Sequence, residues 1–279
     1  MYPAEGGQDT SLSGSSVSLS SPVGAGYSLE CERRIGTFSY MSNDPSQGLM
    51  RVVALETSGR FGSIAAVSVE ATQAKIVGSL PLPTDNRTAQ TLIPSLMNLL
   101  EISNWRVGEL DMICATTGPG SFTGLRIGVT TAKTLAYAIG AKLVGVHTLA
   151  AMASTVDSKD KRVWAILDAQ RNEIFAACFQ PGWQKNDGHF PDTIVVGADD
   201  FLSRIRPGDL VMGPPLSEVS ERIPNDVLLA DASLWYPTAE AVALVGIAAL
   251  GRGNVSDPMQ FAPHYYRISA AEENARARH

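Results

Sequence analysis

From residue 50 onward, apolar and polar positions alternate between two rhythms, a period of two and a period near four. The stretch "RVVALETSGRFGSIAAVS", residues 51–68, reads as two strands joined by a Ser-Gly-Arg-Phe-Gly turn. A third strand is expected over Lys75–Leu80, then a helix over about Thr88–Glu101 with Leu92, Leu96, Leu99 and Leu100 along one side. A buried strand over Asp111–Thr116 comes next. It leads into a helix that starts after Gly120 and ends at Gly140, a strand over Lys142–Val146, and a helix from Thr148.

The same order then returns. "RVWAILDAQRNEIFAACF", residues 162–179, aligns without gaps on the first hairpin, matching at Arg51/Arg162, Val52/Val163, Ala54/Ala165, Arg60/Arg171, Ala65/Ala176 and Ala66/Ala177. A strand near Thr193–Val196, a helix near Asp199–Ile205, a strand over Asp209–Met212 and a helix from Thr238 to Gly251 complete the second set. Three antiparallel strands followed by alternating helices and strands, used twice, is the layout of the actin, sugar-kinase and heat-shock ATPase superfamily. The chain is therefore expected to be an α/β protein with an actin-like, ribonuclease-H-like duplicated two-lobe fold, with lobes over 50–156 and 157–279.

Residues 1–49 break both rhythms. Runs such as "TSLSGSSVSLSSPVGAG" lack the apolar side chains that would offset ordering entropy, so this part reads as disordered or as an extension upstream of a true start at Met50. Its five acids against two arginines contribute −3 of the net charge of −6. The remaining −3 does not suit a body that holds nucleic acid by itself, since phosphate binding needs clustered Lys and Arg. The apolar stretch Thr238–Leu250 is too short to span a bilayer, and Cys31, Cys114 and Cys178 show no CxxC spacing. Together these features place the chain in the cytoplasm.

Two sets of residues invite a chemical reading. In actin-like proteins a hairpin turn in each lobe approaches nucleotide phosphates, so Glu56, Thr57, Ser58 and Gly59 in the first turn and Asp168 in the second are candidate nucleotide contacts. The second turn has no glycine, and Asp168 at a strand end also fits a local turn residue. The other set is "GPGSFTGLRIG", residues 118–128. Its Gly118, Gly120 and Gly124 stand as GxGxxxG, with no following Lys-Ser/Thr, and Ser121 lacks the flanking glycines of a nucleophile elbow. Ser121 or Thr123 could cap the helix. The helix start, with Gly118, Pro119, Gly120, Ser121, Thr123, Gly124 and Arg126, is either an anion-approach loop or a tight packing joint that a partner can reach. The four histidines have no HxxxH spacing, and His147 reads as a hydrogen-bonded structural side chain.

"VVALETSGRFGSIAAV", "TTGPGSFTGLRIGVTTAKTLAYAIGAKLVGVHTL" and "PHYYR" (263–267) together resemble the TsaB (YeaZ) family of tRNA threonylcarbamoyladenosine biosynthesis, over most of 50–267. That resemblance implies a catalytically inactive paralogue of TsaD. It would act with TsaD and TsaE to modify the adenosine beside the anticodon in tRNAs reading codons that begin with A. The metal-ligand histidines of TsaD, in "GVNHxxGH", fall on Thr148 and Met152 of "GVHTLAAM", so ATP and metal are expected on TsaD and no cofactor on this chain. Contact with tRNA would be indirect. The family also implies a heterodimer, and a homodimer in isolation, through the helix after Thr88 and the helix after Gly120. A family histidine near the first of these helices is Thr88 here. Two other readings of the residues stay open: an independent actin-fold ATPase or small-molecule kinase using Glu56, Thr57 and Asp168, and a metalloprotease, which the missing HxxxH counts against.

Overall fold

The computed structural model describes residues 48–71, 73–157, 159–183 and 190–267, so the extension expected over 1–49 lies outside the described residues except for Gly48 and Leu49. The first sheet is built from β1 (Met50–Glu56), β2 (Ser63–Glu70), β3 (Gln73–Pro81), β4 (Met112–Gly118) and β5 (Lys142–His147), ordered β3-β2-β1-β4-β5. The hairpin strands pair antiparallel, while β1, β4 and β5 run parallel. The second sheet, from β6 (Val163–Asp168), β7 (Glu173–Phe179), β8 (Ile194–Gly197), β9 (Leu210–Met212) and β10 (Leu228–Leu229), is ordered β8-β7-β6-β9-β10 with the same pairing senses. The duplicated actin-like arrangement is present in both halves.

One detail of the gapless hairpin alignment is corrected by the registers. Ala54 faces Ala65 in the first hairpin, but Ala165 faces Ala177 in the second, so the counterpart of Ala65 is Ala177 and not Ala176. Ten residues separate the facing pair Ala54 and Ala65, and eleven separate Ala165 and Ala177. Burial requires the shift: Val52, Ala54 and Ala65 share one core, and Val163, Ala165 and Ala177 share its equivalent, whereas Ala176 points to the opposite face. A strand slipped by one residue would turn every side chain over.

Helices α1 (Thr88–Ile102) and α2 (Phe122–Ile139) cover one face of the first sheet, with Leu92, Leu96, Leu99 and Leu100 buried as their spacing predicts. Helix α3 (Thr148–Ala153) packs on the second sheet, whose other face is covered by α4 (Ala198–Leu202) and α5 (Leu216–Val219). Helix α6 (Ala239–Gly251) follows the second sheet in the chain yet packs on the first, against β1, β2 and β5, and against α3. It is apolar on every side and buried on nearly every side, as a helix enclosed between layers should be. Among the described residues no helix is long and apolar enough to cross a membrane.

Candidate functional site

A cleft of about 1610 Å³ opens between the two hairpin turns. The first turn contributes Ser58, Gly59, Arg60 and Phe61, the start of α2 contributes Pro119 to Phe122, and the second turn contributes Asp168 to Glu173. The fold thus brings Ser58, Gly59, Pro119, Gly120, Ser121 and Asp168 to one space although they are separated by up to 110 positions. Glu56 and Thr57 lie behind it, fully enclosed, and Thr123 and Arg126 sit on the exposed side of α2.

The glycines of "GPGSFTGLRIG" are explained by contact with the first turn. A Cβ built on Gly120 would lie 2.4 Å from the Ser58 carbonyl oxygen, one on Gly124 2.0 Å from the Thr57 carbonyl oxygen, and one on Gly128 2.1 Å from Thr57 Oγ1. Gly120 also has φ of 150° and Gly118 a φ of 127°, backbone that favours glycine. Ser121 is the N-cap: its Oγ accepts the Gly124 N–H at 3.3 Å, and its own N–H donates to the Ser58 carbonyl at 2.6 Å. Gly140 closes the helix in the left-handed conformation, with φ of 73°. Gly128, Ala132 and Ala136 face the protein's own core, which leaves Thr123, Arg126, Thr130, Thr134 and Tyr137 along the outer side of α2.

Arg126 is engaged by two aromatic side chains. Its guanidinium lies 4.2 Å from the Phe122 ring centre, and its Nε–H donates to the Tyr265 hydroxyl at 3.0 Å. Phe122 and Tyr265 stack at 4.5 Å. Phe122 and Tyr265 are not among the candidate residues; "PHYYR" marks the family, but no spacing ties it to α2, because Arg126 and Tyr265 lie 139 positions apart.

The carboxylates are committed to local partners. Glu56 Oε1 accepts the Ser58 N–H at 2.7 Å and the Ser58 hydroxyl, while Oε2 and the Thr57 hydroxyl find no partner among the described residues. Burial pushes the Glu56 carboxyl up to about 7, with the two Ser58 bonds pulling the other way. Asp168 Oδ1 accepts the Gln170 N–H at 2.7 Å and Oδ2 the Gln170 side-chain amide at 2.9 Å, an Asx turn. That turn holds Gln170, Arg171 and Asn172 at φ of 64°, 57° and 61°, conformations that cost non-glycine residues roughly 1 kcal/mol or more each.

His147 ends β5 and caps α3. Its Nδ1 accepts the Ala150 N–H at 3.3 Å, so Nε2 carries the proton and donates to Thr193 Oγ1 at 2.8 Å. Burial, then the charge of His264, lowers its pKa to about 4. Thr148 and Met152 are completely buried within α3 and Met152 belongs to the core of the second sheet. Among the described residues no group of three or more His, Cys, Asp or Glu could hold a metal ion.

The TsaD family, described as tRNA N6-adenosine threonylcarbamoyltransferase, matches residues 63–195. The tRNA threonylcarbamoyladenosine biosynthesis protein TsaB of Bacillus subtilis is 27% identical over 231 residues, spanning 80% of this chain and 96% of that protein. YeaZ from Pseudomonas aeruginosa superposes with a TM-score of 0.63 at 27% identity, covering 77% of this chain and 99% of YeaZ. The chain is similar to TsaB/YeaZ proteins over most of its length. The TsaB of Escherichia coli is 30% identical over 133 residues, 47% of this chain and 55% of that protein. At α3 the side chains of Thr148 and Met152 are enclosed in packing and neither lines the cleft.

Proposed function

We propose that this chain is the non-catalytic partner subunit of TsaD in threonylcarbamoylation of the adenosine beside the anticodon, in tRNAs reading codons that begin with A. The observation that carries this reading is the alignment with a TsaB protein over 96% of that protein's length. The site supports it. Of the two carboxylates that a kinase or ATPase would use, Asp168 bonds Gln170 through both oxygens, and Glu56 is enclosed with one oxygen bonded to Ser58. ATP and metal would be held by TsaD, and TsaE would join the complex in the cytoplasm. A body of net charge −3 suits a subunit that meets tRNA through its partner.

The docking surface is formed by α1 and α2, which pack side by side on the first sheet. Their outer sides leave Ile93, Met97 and Ile102 of α1 and Tyr137 of α2 exposed, between 50% and 71%. Large apolar side chains repeated at helical spacing on an outer face mark an interaction surface. The same face would pair two copies when TsaD is absent. Co-purification of tagged TsaD with this chain tests the reading: Met97→Glu combined with Tyr137→Glu should abolish capture, and capture at wild-type level by that variant would contradict it.

A further inference from the structure

The last described segment, Phe261 to Arg267, touches both halves of the molecule in succession. Phe261 is buried in the core under α1 and α2, and Lys133 Nζ donates to its carbonyl at 3.2 Å. The His264 N–H donates to the Thr117 carbonyl at 2.8 Å, and the His264 carbonyl lies so close to Gly118 that a Cβ there would be 2.6 Å away. Tyr265 then stacks on Phe122 and receives Arg126. Up to this point every partner belongs to the first half.

The next two residues reach the second half. Tyr266 packs edge-on against His147 at the end of β5 and against Phe175 of β7. Arg267 forms an ion pair with Glu173 at 2.9 Å and donates to the Ala169 carbonyl at 2.8 Å and the Gln170 carbonyl at 3.3 Å. Those carbonyls belong to the left-handed second turn, which Asp168 holds from the other end.

We propose that Phe261–Arg267 is a clasp between the lobes: its first five residues are fixed to β4 and α2, and Arg267 pins the second turn, so the cleft cannot widen without breaking the Arg267 contacts. Separating the hairpin turns would pull Arg267 from Glu173, Ala169 and Gln170 together, and charge-assisted bonds released as a group resist opening more than any one of them. The clasp also ties the second lobe to the first turn of α2 through Tyr265, Phe122 and Arg126. It depends only on contacts within this chain and stands apart from the partner reading.

Spin-label distance measurement on the full chain tests it, with Cys31→Ser and Cys178→Ser to remove reactive thiols and Arg60→Cys and Asp200→Cys as label sites on opposite rims of the cleft. With Arg267 present a single narrow distance is expected. Arg267→Ala should shift the distribution to longer distances and broaden it. Arg267→Lys, which keeps a charge for Glu173 but lacks the guanidinium fork, should give an intermediate result. Hydrogen exchange of the same proteins supplies a second measurement: amides of the 169–173 turn should exchange about tenfold or more faster in Arg267→Ala. Unchanged distances, or exchange unaltered in the turn, would overturn the proposal. If Arg267→Ala does not fold, Arg267→Lys decides the matter by the same two readings.

Discussion

The contact between α2 and the first hairpin turn yields a prediction in which two neighbouring glycines behave differently. Gly124→Ala would set a Cβ 2.0 Å from the Thr57 carbonyl oxygen, a backbone atom that cannot rotate away. Gly128→Ala would set one 2.1 Å from Thr57 Oγ1 and 3.4 Å from its methyl carbon, both side-chain atoms. Each substitution gains about 1 kcal/mol of helix propensity, and each pays for overpacking, which in a dense interior costs about 1–3 kcal/mol and more where backbone must move. Gly124→Ala should therefore destabilise by about 2–4 kcal/mol and Gly128→Ala by about 1 kcal/mol net. Thr57→Ala removes a buried hydroxyl that has no partner among the described residues, together with one methyl group, so alone it should cost no more than about 1 kcal/mol. It clears the space beside Gly128 and leaves the carbonyl beside Gly124 in place. Urea unfolding of the singles and doubles should give a coupling of about 2 kcal/mol for Thr57→Ala with Gly128→Ala, and less than about 0.5 kcal/mol with Gly124→Ala. Equal rescue of both glycine variants, or a Gly124→Ala protein as stable as wild type, would refute the packing-joint account.

Glu56 and His147 should act on stability in opposite senses. The folded pKa of Glu56 is raised from 4.5 to about 7, so its contribution is fully present below pH 4.5 and lost as pH rises to 7; that of His147 is lowered from 6.5 to about 4, so its contribution is present above pH 6.5 and lost as pH falls to 4. Each amounts to about 3 kcal/mol, so the two largely cancel in wild type. Unfolding free energy of Glu56→Gln should climb from pH 4 to 6.5 and that of His147→Gln should fall from pH 4.5 to 7; parallel profiles for the two variants would contradict the assignment. On the outer face, Ile93→Ala should weaken TsaD capture by about tenfold, the size expected of an apolar anchor, with no change in thermal midpoint. An unchanged affinity measured by titration calorimetry would remove Ile93 from the interface.

Much of this architecture can be read from local signals. The leucines of α1 follow the helical period, Ser121 and Gly140 bracket α2 with the chemistry of its two ends, and β1 to β9 follow from runs of β-formers between turns, whereas the two-residue β10 has no such signal. The register difference between the hairpins could not be read in this way. A gapless match of Ala65 with Ala176 looks as good as any other when both strands are rich in alanine, and only the facing cores decide for Ala177. The place of α6 is hidden for a related reason: a helix apolar on every side does not say which sheet it covers. At the candidate site, the glycine spacing excluded the familiar phosphate loops but could not separate an anion cradle from a packing joint, since both need small residues. The close contact with the Thr57 and Ser58 backbone, some sixty positions away, has no signal in that spacing. Arg126 shows the same limit. Its place near a helix start suggests a role with anions, and its contacts with Phe122 and Tyr265 carry no signal in the spacing.

Reconstitution of tRNA modification tests the central claim most directly. Cognate TsaD with TsaE, threonylcarbamoyl donor and an unmodified tRNA that reads a codon beginning with A would be assayed with and without this chain, counting the modified adenosine by mass spectrometry. Background modification without the chain, full modification with it, and none from the chain in the absence of TsaD are the results expected of a partner subunit. Full modification by TsaD and TsaE alone would contradict the account.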